Sequence, residues 1–137
     1  MSGTRLTLRV DFGGSRSIGP GKIRLLEAIE RTGSISQAGR ELGMSYRRAW
    51  LLIDDMNQCF REAVVTAKPG GAQGGGAVLT GFGAGLVRDY RAIEAAATDA
   101  AVPRLRGLEG ALKPKRAKLI EPRNIALRGR KRAEEKS

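Results

Sequence analysis

Residues 34–58, "SISQAGRELGMSYRRAWLLIDDMNQ", decide the fold. Ser34 and Gln37 match the S-x-x-Q capping box, in which each satisfies a backbone N–H at a helix start. The short helix that follows stops at Gly43, because a residue without Cβ takes the left-handed turn at little cost. Ser45 caps the next helix, "YRRAWLLIDDMNQCF", whose inward stripe is Ala49, Ile53, Met56 and Phe60, with Leu52 beside it. This is the spacing of a helix-turn-helix. Gly39 is the small residue where the axes approach, Gly43 makes the turn, and Met44, Ala49 and Ile53 reach back to the first helix. Such a turn projects the start of the second helix outward, the part that enters the DNA major groove in this motif. Ser45, Tyr46, Arg47 and Arg48 lie there, two of them guanidinium forks able to read guanine or grip phosphate. A merely structural helix hairpin can carry the same turn glycine, so the flanking elements matter.

On the N-terminal side, "TRLTLRVDF" (residues 4–12) alternates, with Leu6, Leu8, Val10 and Phe12 on one face and Arg5, Thr7, Arg9 and Asp11 on the other. That predicts a half-buried strand, ended by Gly13-Gly14-Ser15. "PGKIRLLEAIERTG" (residues 20–33) predicts a helix opened by Pro20 and closed by Gly33, with Leu25, Leu26 and Ile29 inward and Lys22, Glu27 and Arg31 toward water. On the C-terminal side, "AVVTA" (63–67) and "AVL" (77–79) predict two short strands around a glycine-rich tip from Lys68 to Gly76, where Lys68 and Gln73 are candidate DNA contacts. Thr80 then caps a last helix carrying Phe82, Leu86, Tyr90, Ile93 and Ala97 at helical spacing, ended by Pro103. A helix-turn-helix followed by two strands around a loop is a winged helix. The expected fold is therefore mainly α with a small β-sheet, with residues 1–102 as one domain and residues 103–137 as a basic, mobile tail.

Glycine-rich segments also cradle phosphates, but "AKPGGAQGGGAVLTGFGAG" (residues 67–85) lacks the G-K-[ST] of a P-loop, and "GFGAG" lacks the strand–turn–helix setting of a dinucleotide site. The chain has no histidine and a single cysteine, Cys59, so an internal disulfide, the common zinc sites and Ser-His chemistry are excluded. No cofactor, metal or enzymatic activity is expected. No apolar run approaches the roughly 18 residues needed to span a bilayer, and no signal peptide is evident at Met1, so no membrane partner and a reduced, cytoplasmic setting are expected. The net charge of +11 is uneven: residues 1–100 hold 13 Lys/Arg against 10 Asp/Glu, residues 101–137 hold 12 against 4. A polyanion partner follows naturally from that balance.

Taken together, "GSISQAGRELGMSYRRAWLLIDDMNQ" and "GGAQGGGAVLTGFGAGLVRDY" resemble the N-terminal DNA-binding domain of the molybdate-responsive regulator (ModE) family, and more distantly the LysR-type domain, over about residues 5–100. The resemblance implies a winged helix, a homodimer joined largely through long helices, and regulation of genes for molybdate uptake or use. Ser36 and Gln37 match the family pattern before the turn, and Ser45, Tyr46 and Arg47 match the start of the recognition helix. Dimerisation is assigned to Phe82, Leu86, Tyr90, Ile93 and Ala97. Family members continue into oxyanion-binding domains, whereas 37 residues follow the matched region here. "KLIEPRNIALRG" resembles the molybdate-binding repeat too briefly to build a barrel, so molybdate binding is not expected in this chain.

Trp50 neighbours the inward stripe and is assigned to the core, Tyr46 to the surface. Cys59 reads as a semi-buried apolar residue and Asp54-Asp55 as a solvated face. The leading functional reading is a sequence-specific transcriptional regulator bound to double-stranded DNA. Its rivals are a nonspecific nucleic-acid-binding accessory protein driven by the basic tail, and a protein-interaction module.

Overall fold

Pro20 presets the φ of a first helical turn, and Gly33, at φ 71°, supplies the left-handed exit, so α1 spans Pro20–Thr32 as the sequence predicts. The computed structural model describes residues 3–68 and 76–115. Its element order is β1 (Val10–Gly13), β2 (Arg16–Ile18), α1, α2 (Ile35–Glu41), α3 (Tyr46–Cys59), β3 (Val65–Ala67), β4 (Ala77–Leu79) and α4 (Gly81–Gly110). The chain is mainly α with two small two-stranded antiparallel sheets, β1–β2 and β3–β4. It divides into two compact units, Met1–Pro103 and Arg104–Ser137.

The N-terminal strand is shorter than predicted and has a partner. Gly13, Gly14 and Ser15 all take positive φ, which folds the chain back into β2. Residues 4–9 lie outside this ladder, yet their alternation still sorts the side chains: Leu6 and Leu8 are half-buried, and Arg5, Thr7 and Arg9 are exposed. Phe12 departs from the pattern and is exposed, its ring edge-on to Phe60 at 5.8 Å.

The first unit's core lies between α1, α3, the β3–β4 hairpin and α4. Ile23, Leu25, Leu26, Ala28 and Ile29 of α1 are fully buried, against Ala49 and Met56 of α3. Two α1 residues assigned to water are engaged instead. Lys22 Nζ lies 2.6 Å from Asp55 Oδ2 on α3 and donates to the Ser17 carbonyl, its side chain only 14% exposed. Glu27 accepts two bonds from Arg91 of α4, at 2.9 and 3.0 Å, and Arg91 also donates to Glu94 at 2.7 Å. Those hydrogen bonds from Arg91 hold the Glu27 carboxyl below its ordinary pKa, against the opposing effect of partial burial. They also hold the Arg91 guanidinium more firmly protonated.

The hairpin is docked on the turn between α1 and α2. Ser34 bridges Gly76, and the Ala77 N–H donates to the Gly33 carbonyl at 3.0 Å. Helix α4 starts immediately after β4, capped by Thr80, whose hydroxyl accepts from the Gly83 N–H at 2.9 Å and donates to the Ala63 carbonyl at 2.6 Å. A Cβ at Gly83 would collide with the Val64 carbonyl oxygen, so this position admits only glycine at the observed spacing. One turn after Leu86, Tyr90 is fully buried and its hydroxyl donates to the Leu8 carbonyl at 2.6 Å, fastening the N-terminal segment to α4.

Pro103 does not end α4, which runs on to Gly110. Proline lacks the N–H that would bond the Asp99 carbonyl, a loss costing about 3 kcal/mol in a helix interior. Asp99 and Pro103 are both exposed, so water can serve the freed carbonyl. In the second unit the helix closes with Ala111 and Leu112 N–H groups on the Leu108 and Glu109 carbonyls.

Gly83→Ala should destabilise the fold by more than about 2 kcal/mol, as backbone has to shift. Gly81→Ala, with nothing within 4 Å of its Cβ, should stabilise by up to about 1 kcal/mol through helix propensity. Equal effects in denaturant unfolding would refute the close approach at Gly83. The Glu27–Arg91 pair is partly solvated, so Glu27→Gln should cost no more than about 1 kcal/mol at neutral pH. Because folding lowers the Glu27 pKa from 4.5, this contribution is complete above that value and is lost as pH falls through the lowered one. Unfolding curves of the two proteins should therefore converge in acid; a gap that is constant with pH would show that the carboxylate charge is not responsible.

Candidate nucleic-acid interface

Ser34 begins α2 by accepting the Gln37 N–H on its hydroxyl at 3.1 Å. Only this half of the predicted capping box forms. The Ser34 N–H goes to the Thr32 hydroxyl at 3.2 Å, which leaves the Gln37 side chain at the surface. The turn is built as the spacing predicts. Gly43 sits at φ 70°, the Met44 N–H donates to the Gly39 carbonyl at 2.9 Å, and a Cβ on Gly39 would press on the Met44 carbonyl oxygen at 3.3 Å and the Ala49 Cβ at 3.4 Å. Ser45 then caps α3 by accepting the Arg48 N–H at 3.1 Å.

Helix α3 buries Ala49, Ile53 and Met56, with Leu52 and Phe60 partly buried beside them. Its C-terminal end is clamped to the hairpin by Asn57, whose amide accepts the Val64 N–H at 2.7 Å and donates to the Val65 carbonyl at 3.3 Å. The first two turns of α3 therefore stand out from a supported base. Tyr46, Arg47 and Arg48 are exposed there, and among the described residues neither arginine has an ion-pair partner. Ser45 is exposed, Ser36 and Gln37 lie at the surface of α2, and Lys68 is exposed at the loop end of the hairpin with its N–H on the Gly76 carbonyl at 3.0 Å. Gln73 lies outside the described residues, as does the chain from residue 116 onward.

Two features escaped the sequence reading. Trp50 is not in the core: it is 46% exposed, and Leu51 beside it is 44% exposed. At about 100° per residue, Trp50 lies roughly 100° round the helix from the centre of the Ala49–Ile53–Met56 stripe, so a wheel would have put it outside. Arg9, Lys22 and Arg48 also line one shallow cleft beside the start of α1. No local spacing signals this, because Arg9 and Arg48 come together only through the hairpin's return.

The α4 residues assigned to dimerisation divide into two groups. Phe82 packs on Phe60 at 5.2 Å, and Leu86 and Tyr90 are buried within this chain, Tyr90 wholly so. Ile93 is 48% exposed and Ala97 half-buried. Ile93 and Phe12 stand at the surface of an open apolar groove of about 560 Å³ floored by Ile18, Leu86 and Tyr90. Among the described residues no helix is long and apolar enough to cross a membrane.

A tight helix-turn-helix with a β-hairpin docked behind it is a winged helix. The homologues of this chain are ModE and Mop proteins. It is 54% identical over 78 residues to the molybdenum-pterin-binding protein MopB of Rhodobacter capsulatus, a match covering 57% of this chain and 29% of that protein. It is 46% identical over 90 residues to the molybdenum transport protein ModE of Azotobacter vinelandii, covering 66% and 33%. It is also 45% identical over 71 residues to the DNA-binding transcriptional dual regulator ModE of Escherichia coli K12, covering 52% and 27%. The chain thus spans about a third of the length of the curated relatives it matches. No protein-family model matches it.

Proposed function

We propose that this chain binds double-stranded DNA sequence-specifically as a transcriptional regulator in molybdenum-related gene control. The supporting observation is the first half of α3: two arginines with no ion-pair partner among the described residues and a tyrosine, held outward by the Gly39–Gly43 turn. Guanidinium forks at the start of a projecting helix suit guanine edges and phosphates alike. Its ModE relatives carry the names of transcriptional regulators and of a molybdenum transport protein, which gives the reading its biological setting. Ligand sensing is not part of it.

The regulator acts as a homodimer in this reading, with the Phe12–Ile93 groove covered by a second copy. Two recognition helices about 34 Å apart would then face successive turns of a pseudo-palindromic site. A nonspecific accessory protein remains the rival reading, carried by the excess of positive charge after residue 100.

Selection from a random DNA pool, with and without molybdate, should return a symmetric site. On that site Arg47→Ala with Arg48→Ala should weaken binding at least tenfold and relax base preference; unchanged affinity would refute the recognition-helix assignment. Removal of residues 104–137 should flatten the salt dependence, with a slope of about −0.9 per phosphate contact, and leave sequence preference intact; loss of all binding would favour the accessory reading. Ile93→Glu should shift the protein to monomer in analytical ultracentrifugation, and a dimer of unchanged strength would exclude this groove as the interface.

A further inference from the structure

We propose that the Trp50–Leu51 surface of α3 reads thymine, by packing against the C5-methyl groups that thymines present in the DNA major groove. The proposal rests on the DNA-binding reading and extends it from charge to base identity. Trp50 and Leu51 are large apolar side chains left about half exposed, although the Ala49–Ile53–Met56 stripe already seats α3 on the core. At helical spacing Arg47 stands three residues from Trp50 and four from Leu51, so all three share one outward face, with Tyr46 at its edge, 57% exposed. An apolar surface interleaved with cations that have no ion-pair partner among the described residues suits a partner that offers both anionic groups and apolar edges.

The charge of the helix fixes which end meets that partner. Residues 46–52 carry two arginines and no acid, and residues 53–59 carry two aspartates and no base. Asp55 is held by Lys22, while Asp54 is half-buried with no ion pair among the described residues. A polyanion is therefore admitted along the first two turns and repelled beyond them, which confines contact to the part bearing Trp50 and Leu51. On the major-groove edges of base pairs, the thymine methyl is the one apolar group. The arginines supply guanine and phosphate contacts, and the apolar pair supplies selection for thymine at adjoining positions.

The test replaces each thymine of the selected site, one at a time, by deoxyuridine, which keeps its pairing and hydrogen-bonding edge and loses only the methyl. At one or more positions in each half-site the substitution should weaken binding about fourfold, the equivalent of burying one methyl-sized group. Trp50→Ala with Leu51→Ala should bind the thymine and deoxyuridine sites equally. Both residues are half exposed, and a thermal melt of the variant establishes that it folds. Should the double variant bind too weakly to compare, Leu51→Ala alone should abolish the response at one position. Wild-type indifference to every deoxyuridine would overturn the proposal and leave sequence-specific binding standing. A methyl response that persists in the variants would overturn it equally, since another surface would be reading the methyl. If the selection returns no preferred site, the sequence-specific reading fails and the proposal fails with it.

Discussion

The corner where α3, β3 and α4 meet depends on one missing atom. Because Gly83 has no Cβ, the first turn of α4 can lie against the Val64 carbonyl. That carbonyl also accepts the Thr80 N–H at 3.0 Å, while the Thr80 hydroxyl bonds Ala63 and Asn57 holds the backbone of Val64 and Val65 from the other side. The Ala63, Val64 and Val65 carbonyls and the Val64, Thr80 and Gly83 N–H groups at this crowded corner are satisfied by backbone or by two short side chains, which is what burial there requires. A wider approach would detach α4 from the hairpin and lengthen the bonds that hold the end of α3.

From that corner outward, orientation is transmitted through short links. Asn57 joins α3 to β3, Lys22–Asp55 joins α1 to α3, and Glu27–Arg91 joins α1 to α4. None of these is a large energetic contribution alone, since partly solvated ion pairs are worth about 1 kcal/mol or less. Together with the buried faces of Ile23, Leu26, Ile29 and Met56 they fix where the first turns of α3 point. The exposed first turns of α3 thus stand on a helix that is braced at its far end by Asn57.

Local signals made the centre of the fold legible. Ser34, Gly39, Gly43 and Ser45 act in the structure as their spacing predicts, and Thr80 caps α4. What could not be read were features decided by neighbours distant in sequence. The second strand of the N-terminal hairpin is three residues long, too short for a periodic signal, and Tyr90 is buried because Leu8 crosses it from 82 positions away. Pro103 reads as a stop because proline usually is one, yet it and Asp99, whose carbonyl it leaves unbonded, are exposed, and the helix continues. Of the candidate site, the arginines were evident from the motif, while Trp50 was misassigned by adjacency to the stripe rather than by angle around the helix.

The start of α2 has a consequence for how such a surface changes over generations. Thr32 has taken over the hydrogen bond that a full capping box would give to position 37. Gln37 therefore faces outward without a duty in holding the helix together. A replacement there alters what the surface offers while the fold keeps its anchor in Ser34 and Thr32, so selection can explore new preferences at position 37 without first repairing stability. Surface chemistry and helix capping, which often compete for the same residue at a helix start, are here assigned to different ones.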